Sequence, residues 1–95
     1  VISTKDAAAG EIDRQIVSVG GFVKRPGPIP YTRSMTLFQA VSAAGGENTF
    51  GSIQRVQLHR NGKMSIYDLK TAADMRVKIY PGDSINIPQK TLLGR

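Results

Sequence analysis

Ile53-Gln54-Arg55-Val56-Gln57-Leu58-His59-Arg60-Asn61-Gly62-Lys63-Met64-Ser65-Ile66-Tyr67-Asp68-Leu69 places two β-rich runs on either side of an Asn-Gly pair. Asn-Gly is the strongest short-range hairpin signal, because both central residues of a type I′ turn need φ > 0. The strands are therefore read as Ile53 to Arg60 and Lys63 to Leu69. A two-residue Asn61-Gly62 loop sets Val56 opposite Tyr67 and Leu58 opposite Ser65. A three-residue Arg60-Asn61-Gly62 loop sets Val56 opposite Ile66 and Leu58 opposite Met64. A slip of one residue turns every side chain of one strand to the other face, so burial is expected to select the three-residue turn with its bulge.

Toward the N-terminus, Thr36-Leu37-Phe38-Gln39-Ala40-Val41-Ser42-Ala43-Ala44-Gly45-Gly46 reads as a helix. Thr36 is its N-cap, and Gly45 or Gly46 is its left-handed terminator. Leu37, Ala40, Val41 and Ala44 share one face, and the alanines allow close approach to a sheet. Further upstream, Ile16-Val17-Ser18-Val19-Gly20-Gly21-Phe22-Val23 is β-branched enough for a strand. Val17, Val19 and Val23 lie on one side, and Gly20-Gly21 marks a bulge or a close backbone approach. Pro26-Gly27 within Lys24 to Pro28 predicts a type II turn into a short strand at Ile29 to Thr32.

Toward the C-terminus, Thr71 to Tyr80 reads as an irregular connector with a short helical turn near Ala72 to Met75. Pro81-Gly82-Asp83 forms a turn, and Ser84-Ile85-Asn86-Ile87 alternates as a last strand closed by Pro88. The resulting order, ββαβββ, describes an α+β domain of the β-grasp kind: a mixed sheet of about five strands crossed by one helix. Residues 1–15 read as a linker or leader, 16–90 as the domain and 91–95 as a C-terminal tail.

A chain of 95 residues holds one core. With 40% hydrophobic and 21% charged residues its composition is that of a folded globular chain. It has no cysteine, which excludes disulfides, thiolate metal sites and thiol nucleophiles. No apolar run approaches the ~20 residues of a membrane-spanning helix, and the N-terminus has no signal-peptide core. Starting at Val1 rather than Met, the chain is expected to be a processed product or an excised piece. The formal charge is +6. Residues Val1 to Gln15 carry Lys5 and Arg14 against Asp6, Glu11 and Asp13, a net −1, so the positive excess lies in the domain. There the basic residues are scattered, as on a solvated surface, rather than clustered as in a nucleic-acid footprint.

Four stretches together resemble a known family. Val17-Ser18-Val19-Gly20-Gly21-Phe22-Val23-Lys24-Arg25-Pro26-Gly27 is similar to the opening strand and Pro-Gly turn of the soluble-ligand-binding β-grasp (SLBB) domains. Leu37 to Gly46 resembles their helix with its Ala-Gly-Gly exit. Val56 to Arg60 with Tyr67-Asp68-Leu69 resembles their hairpin, and Tyr80-Pro81-Gly82-Asp83-Ser84-Ile85-Asn86-Ile87-Pro88 their closing segment. The resemblance implies a non-enzymatic assembly or ligand-contacting module of a bacterial polysaccharide export protein, periplasmic or outer-membrane-associated. It implies self-association into a ring through strand edges and the loops near Lys24 to Pro28 and Glu47 to Ser52. The same domain type occurs in DNA-uptake proteins and in respiratory-complex subunits, so the alternative is a DNA-binding module of an uptake apparatus.

The chemistry-bearing residues point the same way. His59 is the only histidine and is expected to face solvent, and no second histidine or cysteine completes a metal set. No Ser-His-Asp triad can be placed. Asp68, Asp74 and Asp83 are the carboxylates of the second half. Asp83, after Pro81-Gly82, is expected to bond nearby backbone N–H groups. Gly20, Gly21, Gly45 and Gly46 lack phosphate-loop and dinucleotide spacing and are read as structural. So are Pro26, Gly27, Asn61, Gly62, Pro81 and Gly82. The candidate ligand contacts are Arg25, Tyr31, Arg33, Arg55 and Arg60, with Tyr67 and Tyr80 as further rings for stacking on an anionic sugar. No cofactor is expected.

Overall fold

The computed structural model describes residues 15–91. Of the leader expected at residues 1–15, residues 1–14 lie outside them, as do residues 92–95 of the tail expected at 91–95. The first strand, β1, spans Ile16–Gly21, and the hairpin comprises β3 (Val56–Arg60) and β4 (Lys63–Tyr67). Its register corrects the expectation: Val56 pairs with Tyr67, Leu58 with Ser65 and Arg60 with Lys63, around a two-residue loop. Asn61 (φ 52°) and Gly62 (φ 79°) both take the left-handed conformation that a type I′ turn requires. Burial did not decide, because β4 is the terminal strand of the sheet. Met64 and Ile66 are left 49% and 58% exposed on the outer face. Turn chemistry therefore selected the register. His59, opposite Met64, is exposed as expected.

The sheet order is β2-β1-β5-β3-β4, with β2 at Gly27–Pro30 and β5 at Ser84–Ile87. β5 runs parallel to β1 and antiparallel to β3, so the last strand in sequence joins the two hairpins into one mixed sheet. This is the β-grasp arrangement. Its inner face presents Val17, Val19, Ile29, Val56, Leu58, Ile85 and Ile87, all buried. Against it lies α1 (Leu37–Ala43), which contributes Leu37, Ala40 and Val41, followed by Ala44. Leu37 is fully buried, and its truncation to Ala is worth ~2–5 kcal/mol.

Local chemistry explains why α1 begins and ends where it does. The Thr36 hydroxyl accepts from the Gln39 N–H while the Gln39 side chain accepts from the Thr36 N–H, a capping box. At the other end Gly45 N–H donates to Ser42 C=O and Gly46 N–H to Val41 C=O, the paired bonds of a Schellman ending. The connector after β4 contains α2 (Ala72–Met75), so the full order is ββαββαβ. Its remainder is tied to the start of α1, with Leu37 N–H donating to Val77 C=O and Ile79 N–H to Met35 C=O. No helix of the described residues is long and apolar enough to cross a membrane.

One further expectation is corrected and another is narrowed to a single residue. Pro26-Gly27 is not the centre of a tight turn: Gly27, at φ 146°, already opens β2, and that strand ends at Pro30. The reason is that the chain leaves β1 at Gly21 and detours to the end of α1. Lys24 N–H bonds Gly46 C=O and Arg25 N–H bonds Ala44 C=O, so a wider loop replaces the turn. Of the Gly20-Gly21 pair, only Gly21 answers to close approach. A Cβ at Gly20 meets open space, whereas one at Gly21 would collide with the Ile87 carbonyl oxygen. Gly21 also has φ +86°. Gly21→Ala is therefore expected to destabilise the domain by about 3 kcal/mol or more, with Gly20→Ala within about 1 kcal/mol of wild type. Urea unfolding of the two variants measures the difference, and equal midpoints would refute the assignment.

Candidate functional site

Val56, Leu58 and Arg60 alternate onto the inner face of β3, and Arg60 is the last of them, at the lip of the Asn61-Gly62 turn. On the neighbouring strand the chain enters β5 through Pro81-Gly82. Gly82 N–H donates to Ile16 C=O and Ser18 N–H to Asp83 C=O, which fixes Asp83 between β1 and β3. The Asp83 carboxylate is 3% exposed. It accepts the Tyr80 N–H at 2.8 Å, the expected turn bond. It also accepts Arg60 Nε–H at 2.9 Å and Nη2–H at 2.6 Å, a two-pronged pairing that matches the planar guanidinium. The Arg60 guanidinium lies 4.8 Å from the centroid of the Tyr80 ring, within cation–π range. Hydrogen bonding to Asp83 raises the Arg60 pKa against the opposing effect of burial, so the cation is permanent.

This fixed cation separates two recesses. The first, of ≈ 260 Å³, is lined by Leu58, Arg60, Asn61, Lys63, Ser65 and Tyr67. The second, of ≈ 300 Å³, is lined by Arg60, Asn61, Tyr80, Pro81, Gly82 and Asp83. Together they offer two phenol rings, an ammonium, a primary amide and a hydroxyl. Such a set suits a polyhydroxylated, anionic ligand: rings for stacking, and donors for hydroxyl and carboxylate oxygens. Asp83, the carboxylate of the recess, is occupied by Arg60 and by the Tyr80 backbone. The other two carboxylates are likewise engaged, Asp74 with Asp68 N–H and Asp68 with Lys70 N–H.

The expected ligand residues are divided by the strand directions. Arg60 closes β3, and Tyr31 and Arg33 follow β2, at the end of the sheet where β5 begins. Tyr31 and Arg33 lie across the sheet's width from Arg60, about three strand spacings or ~14 Å away. Tyr31 is half-buried against the core. Arg25 and Arg55 belong to the opposite end. Arg55 Nη2 donates to Gln89 C=O at 2.7 Å, and Arg25 lies beside Gly45. Lys63 and Ser65, and the place of Asn61 in the lining of both recesses, lie outside the expected contacts. Their signal was the two-residue register, which turns Lys63, Ser65 and Tyr67 onto the same face as Arg60.

The Arg60–Asp83 pair also carries stability, because removing the cation strands a buried carboxylate. Arg60→Ala is expected to cost about 2 kcal/mol, reduced from a fully buried pair because the Arg60 side chain is 39% exposed. In a double-mutant cycle with Asp83→Asn the coupling should be about 1 kcal/mol. Strictly additive losses in chemical denaturation would refute the coupling. Among known proteins, no curated sequence matches the chain. The sequence profile of the SLBB domain matches residues 16–68, from β1 through β4, including Arg60, Asn61, Lys63, Ser65 and Tyr67. That match spans more than half of the chain, and the protein belongs to the SLBB domain family, a family of ligand-binding modules.

Proposed function

We propose that this SLBB domain is a ligand-contacting and assembly module of a bacterial polysaccharide export system, working in the periplasm or at the outer membrane on an anionic capsule or exopolysaccharide. The observation that carries the reading is the pair of recesses on either side of Arg60, with the Tyr67 and Tyr80 rings in their walls and Lys63 beside them. A sugar ring stacks its C–H face on a phenol while its hydroxyls take hydrogen bonds, and Asn61 and Ser65 supply such partners. The domain holds its ligand by position, with Arg60 kept rigid by Asp83. The +6 charge of the chain favours the approach of an acidic polymer.

The assembly half is supported at the other end of the sheet. The loops Lys24 to Pro28 and Glu47 to Ser52 stand side by side there, with Val23 bridged to Glu47 and Asn48 N–H donating to Phe22 C=O. Phe50 is 60% exposed at the tip, although its backbone is held by the Asn48 side chain on one side and Lys90 on the other. A pinned, exposed aromatic is the kind of anchor that protein interfaces use.

Titration with hexuronate oligosaccharides, followed by amide NMR, is expected to shift Asn61, Lys63, Ser65, Tyr67, Tyr80 and Gly82. Tyr80→Ala and Lys63→Ala should each weaken binding about 5- to 10-fold. No shifts at millimolar oligosaccharide would overturn the sugar contact. Binding to duplex DNA with a steep salt dependence, in the absence of sugar binding, would instead support the DNA-uptake alternative.

A further inference from the structure

The two edges of the sheet are unlike. At the β2 edge, Tyr31 N–H donates to Gln15 C=O, so by the two-residue alternation of a strand Ile29 also faces β1 while Pro28 and Pro30 face outward. Proline has no N–H, and this edge offers no donor there. At the β4 edge the alternation runs the other way. A two-residue hairpin closes on the Arg60–Lys63 pair, and Leu69 N–H donates to Ile53 C=O, so the odd-numbered residues bond inward. Asp68 N–H, which points outward, is taken by the Asp74 carboxylate. The backbone groups of Met64 and Ile66 point outward as well, on a terminal strand whose residues 63–66 are all exposed. No proline, bulge or charge interrupts Met64-Ser65-Ile66, the devices that usually protect such an edge.

We infer that this edge pairs with the β4 of a second copy of the chain, antiparallel, about a two-fold axis through Ser65. The register is set by the strand itself. With Ser65 opposite its own copy, Met64 faces the copy's Ile66, and these outward-pointing residues exchange N–H to C=O bonds reciprocally. Their side chains, 49% and 58% exposed in the monomer, cover each other on the outer face. On the inner face Lys63 meets the ring of the copy's Tyr67, a cation–π contact, and the two Ser65 hydroxyls face each other. Every position meets a chemically complementary one, which a second copy provides without a further partner. The two Arg60 recesses then lie on the same face of one continuous sheet, and Lys63, Ser65 and Tyr67 line a recess of their own copy while meeting the other.

One strand pair buries well under the ~1,600 Å² of a standard interface, so the dimer belongs to the micromolar-to-millimolar range. Sedimentation of the whole chain should show monomer–dimer exchange, with the Met64 and Ile66 amides gaining protection from hydrogen exchange as concentration rises. Ile66→Lys should raise the dimer dissociation constant at least about 10-fold while leaving the thermal midpoint unchanged, since the side chain is exposed. The chain has no cysteine, so a single Ser65→Cys reports on the axis. In a non-hydrogen-bonded pair the two Cβ atoms come within ~5 Å, and this variant should oxidise to a covalent dimer at least about 10-fold faster than Lys70→Cys. A chain that stays monomeric at about 1 mM, with cross-linking of Ser65→Cys no faster than the control, overturns the inference. So does a dimer that survives Ile66→Lys and is lost in Phe50→Ser.

Discussion

Everything in this domain hangs on β5 entering between the two hairpins. Its parallel ladder to β1 and antiparallel ladder to β3 convert two local, separately marginal hairpins into one five-stranded sheet. The ladder closes at Gly21 against Ile87, where the backbones approach too closely for any side chain. The same insertion places Asp83 beside Arg60, residues 23 positions apart in sequence. Core and candidate site are thus consequences of one late, non-local strand pairing. Its cost in loop closure is met by Ile85 and Ile87, which reach the buried face only from there.

The elements whose signals are local were legible. Thr36, Gln39, Gly45 and Gly46 carry the helix ends in their own side chains or lack of them, and Asn61-Gly62 carries its turn. Where the reading failed, a distant partner had overruled or released a local rule. The Pro26-Gly27 turn gave way because Ala44 and Gly46 carbonyls capture the preceding loop. The register argument failed because it assumed that β4 needed burial. Only the strand order, which sequence periodicity does not contain, makes β4 an edge where Met64 and Ile66 can remain in solvent.

The candidate site was legible as a list of residue types but not as a place. Arg60 was named among five contacts, and the topology distributes the other four elsewhere along the sheet. Tyr67 and Tyr80 flank Arg60 because register and the Pro81-Gly82 turn bring them there. No spacing rule links residue 60 to residue 83, since the link is a buried carboxylate waiting at the mouth of a strand. The family match supplies the ligand-binding character that the residues alone leave open.

Pro28 and Pro30 have a meaning beyond their own strand. Growth of a β-sheet from molecule to molecule needs two adhesive borders on every unit, one to receive and one to offer. Here one border offers carbonyl oxygens at Pro28 and Pro30 but no N–H between them, so it cannot return the reciprocal bonds that a strand laid along β4 receives. Sheet-to-sheet growth through β2 is therefore disfavoured even though β4 is left open.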